Sequence, residues 1–92
     1  MSKRIDLAIE ILKNGGYFWG SRGFDHFGKP MVKIRLITSD SKPVKGVGRS
    51  TLIELAEEGL VRYVDRPGEY RDIIEILKKF RGLIYGKYEW VQ

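Results

Sequence analysis

The chain has 92 residues, 42% hydrophobic and 32% charged, which is the composition of one small globular domain rather than of a disordered segment. It has no cysteine and a single histidine, which excludes disulfide scaffolds, thiolate metal centres and cysteine nucleophiles and leads us to expect neither a metal ion nor a cofactor. The net charge is +5, and with no long apolar run and no signal-peptide pattern at the start, the expected setting is the cytoplasm, away from membranes.

Residues 3–13 read as an amphipathic helix. Ile5, Ala8, Ile9 and Leu12 follow the helical period, Leu7 and Ile11 widen the apolar face, Ser2 is a candidate N-cap, and Asn14-Gly15-Gly16 ends the helix. The period then changes to two. Residues 17–22 are a candidate strand, and Tyr17, Phe18 and Trp19 in succession cannot all face one core. Gly23, Gly28 and Pro30 predict a loop or irregular hairpin end over residues 21–30. Residues 31–38 alternate as a half-buried strand, with Val32, Ile34 and Leu36 on one face and Lys33 and Arg35 on the other. Residues 39–42 are turn-forming, and residues 43–48 are expected to return as the second strand of a hairpin.

Thr51-Leu52-Ile53-Glu54 has the capping-box pattern and predicts a helix starting at Thr51. Leu52, Leu55 and Ala56 would be buried, Glu54, Glu57 and Glu58 exposed, and Gly59-Leu60 would stop the helix. Residues 60–64 form a short strand or link. Arg66-Pro67-Gly68 is expected to break the chain before a third helix over residues 69–81, where Tyr70, Ile73, Ile74, Leu77 and Phe80 keep helical spacing and Gly82 ends the run. Residues 83–91 read as a last strand or packed tail. The expected fold is α+β: one domain over residues 1–92, with a small antiparallel sheet of three to four strands and two to three helices packed on one face. Residues 66–92 either close the core or form a homodimer surface, since Ile73, Ile74, Ile76, Leu77 and Phe80 cover much of their helix.

The charge is unevenly placed. Residues 14–50 hold seven basic side chains against two acidic ones, whereas residues 51–92 hold seven against eight. The basic stretch also contains Tyr17, Phe18, Trp19, Phe24 and Phe27, and a basic surface with interleaved aromatics is the footprint of a partner that carries phosphates. The expected nucleic-acid-binding face comprises Lys33, Arg35, Lys45 and Arg49, with Arg22, Lys29 and Lys42 at its rim and Trp19 or Phe18 as the stacking group. Residues 45–51 are not a nucleotide-binding loop, because Pro43 stands in the first glycine position and Arg49 in the lysine position. A helix start beside Lys45 and Arg49 can still hold one backbone phosphate.

Two partial resemblances fall on these residues, each covering about a third of the chain. Residues 48–61 resemble the second helix and the start of the wing in winged helix-turn-helix proteins, although a hairpin stands where the preceding helix would be. His26, the strand over residues 31–38 and Gly46-Val47-Gly48-Arg49-Ser50 are similar to the layout of double-stranded RNA-binding domains, which implies phosphate contacts at that helix start. Thr51, Leu52 and Ile53 stand where such modules carry lysines, and some thirty residues follow.

The expected function is a small, non-enzymatic, basic nucleic-acid-binding protein, for DNA or RNA, with weak sequence specificity. An alternative is a protein-interaction module, a small adaptor or inhibitor of the kind mobile genetic elements encode, docking through its basic face or through Glu54, Glu57, Glu58, Asp65 and Glu69. A compact ribonuclease using His26 ranks third, because only Asp25 stands near that imidazole in sequence. No catalytic residue is assigned. Trp90 is expected in the core or over a sheet edge.

Overall fold

A computed structural model describes residues 3–91. Among the described residues, the elements run α1 (Lys3–Lys13), β1 (Tyr17–Phe24), β2 (Pro30–Ile37), β3 (Pro43–Val44), α2 (Arg49–Glu57), β4 (Val61–Arg66), β5 (Glu69–Arg71), α3 (Ile73–Phe80) and β6 (Gly86–Trp90). The candidate cap Ser2 lies outside the described residues. All six strands join one antiparallel sheet in the order β3-β2-β1-β6-β4-β5. The class is α+β, as expected, but the sheet has six strands rather than three to four.

Buried residues from all three helices meet one face of this sheet. Ile5, Ala8 and Leu12 of α1, Leu52, Leu55 and Ala56 of α2, and Ile73 of α3 pack in one cluster with Phe18, Ile34, Leu36, Val61 and Tyr88. Residues 66–91 therefore take part in closing the core, supplying Ile73, Leu83 and the central strand β6. Gly20 allows the close approach of the segment leading into β6, since a Cβ there would lie 2.9 Å from the Ile84 carbonyl oxygen. Leu7 is corrected outward: it is exposed, because the buried stripe of α1 runs through Ile5, Ala8 and Leu12.

Several boundaries move for local reasons. Strand β1 continues through Phe24, and the hairpin turn is shorter than expected because the Asp25 carboxylate accepts from the Phe27 and Lys29 amides at 2.9 Å each. Strand β3 is only two residues long, since Gly46 turns the chain and Val47 drops into the core. That early turn starts α2 at Arg49, behind Gly48 and without a side-chain cap, so Thr51 is buried inside the helix and the capping box does not form. The end of α2 is as expected. The Leu60 amide donates to the Leu55 carbonyl and the Gly59 amide to that of Ala56, with Gly59 left-handed at φ 72°, a Schellman closure.

The third helix is shorter than its periodicity suggested. Arg66-Pro67-Gly68 is the turn of a β4–β5 hairpin, bulged between Val64 and Arg66, so Tyr70 lies on a strand. Asp72 then caps α3 by accepting from the Ile74 amide at 2.9 Å. Arg81, rather than Gly82, takes the left-handed position that ends it. No helix among the described residues is long and apolar enough to cross a membrane.

Candidate nucleic-acid interface

The alternation of β1 and β2 sorts their side chains onto two faces. Phe18 pairs with Leu36, Gly20 with Ile34 and Arg22 with Val32, so these share the helix-bearing face. Trp19 pairs with Arg35 and Ser21 with Lys33, and these point to the opposite, open face. On the next strand Lys87 stands across from Trp19, and Tyr88 across from Phe18. The result is a transverse row, Arg35–Trp19–Lys87, over three adjacent strands, with Lys33 two residues along β2 from Arg35.

This row is braced from within. Tyr17 meets Trp19 edge-on with ring centroids 6.5 Å apart, and the Lys87 ammonium lies 4.6 Å from the Tyr17 ring centre. Lys87 also pairs with Glu89 at 2.8 Å. Lys33 and Arg35 are exposed, and among the described residues neither has a carboxylate within ion-pair distance. Arg62 of β4 pairs with Glu89 across the strands, but it lines a pocket with Tyr70 of β5 and with Ile76, Lys79 and Phe80 of α3, away from Lys33 and Arg35.

The remaining expected site residues are distributed more widely. Arg49 opens α2, whose Leu52, Leu55 and Ala56 pack in the core, so it belongs to the helix layer rather than beside Lys33 and Arg35. Lys45 is exposed in the turn after β3. Lys29 and Lys42 flank opposite ends of β2, whose seven residue steps span roughly 24 Å. Arg22 is exposed but has the parity of Val32, with its guanidinium 6.0 Å from the Phe24 ring centre. The expected single basic face is thus divided between two layers, because strand parity overrides proximity in sequence. Phe18 is withdrawn as a stacking group: it is fully buried.

Trp19 is the aromatic that the three-residue run forced outward, and it is 45% exposed on a central strand. Lys87 escaped the sequence reading. Alternation around Tyr88 places Lys87 and Glu89 together on one face, but which strand lies beside them depends on the insertion of β6 next to β1. Tyr88 itself marks the other face. Burial pushes its hydroxyl up to about 12, against the lowering influence of its Ile84 hydrogen bonds.

The other candidates resolve quietly. His26 is exposed at the hairpin tip and packs on Phe27, with ring centroids 4.2 Å apart. Asp25, its sequence neighbour, is engaged by the turn amides. Trp90 is half-buried against the core with the Lys13 ammonium 5.4 Å from its ring centre. The winged-helix likeness ends at the β2–β3 hairpin before α2, and the double-stranded RNA-binding likeness ends at the buried Thr51 and Leu52 of that helix. No protein-family model matches the chain, and no curated protein or solved structure is significantly similar to it.

Proposed function

We propose that the protein is a non-enzymatic nucleic-acid-binding module whose contact surface is the open face of its sheet. The observation that carries this reading is the row Arg35–Trp19–Lys87 with Lys33 beside it, cations that among the described residues have no carboxylate within ion-pair distance save Lys87, grouped around an exposed aromatic. Phosphates would be neutralised chiefly by Lys33 and Arg35, which makes binding weakly sequence-specific and strongly dependent on salt. The DNA or RNA preference follows from contacts beyond this phosphate set.

Fluorescence anisotropy with labelled nucleic acids tests the reading. Lys33→Glu/Arg35→Glu should weaken binding at least about tenfold near 50 mM salt and lower the salt slope by about 2. Arg49→Glu serves as a control on the other layer and should change affinity less than about twofold, a difference too small for a phosphate contact. Equal losses in the two variants would refute a face-specific interface.

A second reading rests on a separate feature. Ile5, Ile9, Leu55 and Leu60 line an apolar groove of about 560 Å³ between α1 and α2, rimmed by Glu54, Glu57 and Glu58. Its chemistry complements a basic amphipathic segment of a protein partner. Binding of such a peptide that is lost in Glu57→Lys/Glu58→Lys and kept in Lys33→Glu/Arg35→Glu would favour this reading.

A further inference from the structure

The open face differs from the surfaces that read double helices, and this carries the nucleic-acid reading one step further. Side chains that read base edges in a duplex must enter a groove, and the major groove of B-DNA, about 12 Å wide, admits a helix or a two-stranded ribbon, whereas backbone phosphates are met from outside it. Here the cations lie on a sheet surface. They come from β2 and β6, on either side of β1, with the indole of Trp19 between them. Neighbouring strands are about 4.8 Å apart, so Arg35 and Lys87 rise about one strand spacing to each side of Trp19. The buried residues of α1 and α2, and Ile73 of α3, lie on the other face.

Trp19 lies on β1, one of the two central strands of the six, and nearly half of it is open to solvent. Its contact with Tyr17 is edge-on, and Tyr17 is held in turn by Lys87. This contact restrains the indole on the Tyr17 side, which lowers the ordering cost of stacking. A stacked duplex hides the faces of its bases, whereas a single strand offers them.

Building on the proposed function, we infer that the ligand is single-stranded nucleic acid, with one base stacked on Trp19 and the adjoining phosphates held by Arg35 and Lys33. The shared chemistry is a π-face next to a phosphate, common to single-stranded DNA and RNA. Stacking is tolerant of sequence, so the module selects strandedness more than sequence.

The test compares short oligo(dT) and oligo(U) strands with blunt duplexes carrying the same number of phosphates, using the full chain. At about 50 mM salt the single strands should bind at least about fivefold more tightly. Trp19→Ala should erase that advantage and leave duplex binding unchanged, while Trp19→Phe keeps most of it. Ligand-induced quenching of tryptophan emission should be present in the parent and lost in Trp19→Phe, a readout that electrostatic attraction alone would not move. Duplex binding equal to or tighter than single-strand binding overturns the inference, as does a Trp19→Ala variant that weakens both alike. If Lys33→Glu/Arg35→Glu still abolishes binding in either case, the phosphate-binding reading stands and only the stacking falls. If neither strands nor duplexes bind at low salt, the proposed function itself fails and the inference goes with it.

Discussion

Phe18 and Trp19 are neighbours in sequence, share a strand and are both large aromatics, yet they belong to different parts of the protein. Phe18 is fully buried beneath the helices between Leu36 and Tyr88, while Trp19 lies between Arg35 and Lys87 on the open face. The difference teaches that at β1 and β2 one face of the sheet is packed beneath helices and the other is left open to solvent. A single strand alternates between the two at every residue.

The sharpest way to test that division is to truncate both aromatics. Phe18→Ala should cost about 3–5 kcal/mol, because a fully buried ring leaves a cavity that the surrounding core cannot close. Trp19→Ala should cost only about 1 kcal/mol, chiefly its edge-on contact with Tyr17. Chemical denaturation measures both, and comparable losses would mean that the open face is covered in solution.

Tyr88 gives a test of the packed face by pH. Its hydroxyl is raised from 10.0 to about 12 in the fold by burial, so the folded protein keeps this proton where the unfolded chain has released it. The stabilising contribution is complete below pH 10 and is lost as pH rises toward 12, to a total on the order of 2 kcal/mol. Ultraviolet difference titration should find one of the five tyrosines ionising late. In Tyr88→Phe that late step should vanish.

The smallest expected effect compares two helix starts. Asp72 caps α3 through the Ile74 amide, so Asp72→Ala should destabilise by about 1 kcal/mol. Glu54 belongs to a capping box that does not form, and Glu54→Ala should change stability by less than about 0.5 kcal/mol. Thermal melts of the two variants resolve the difference, and equal costs would place the start of α2 back at Thr51.

Much of this arrangement was legible from local pattern. The 3.6-residue period of α1, the alternation of residues 31–38 and the Gly59-Leu60 stop each depend on neighbours a few residues apart, and each is present in the fold. The periodicity at Tyr70 misled, because Ile73, Ile74 and Leu77 continue a helical spacing that Tyr70 happens to share, while Pro67-Gly68 forms a hairpin turn. The capping box misled for a similar reason. Thr51 and Glu54 had the right spacing, but burial of Val47 brought the chain into the helix two residues sooner.

The sequence by itself determined the α+β class, the two-faced character of β1 and β2, and the outward position of at least one residue among Tyr17, Phe18 and Trp19. These follow from side-chain periods of 3.6 and 2, which are properties of the backbone alone. Only the tertiary structure decided that β6 inserts beside β1, setting Lys87 next to Trp19, and that Arg49 belongs to the other layer from Lys33 and Arg35. Strand order and helix placement join residues some seventy positions apart, as with Trp19 and Lys87, and are fixed by how the whole core closes over Phe18, Leu36 and Tyr88.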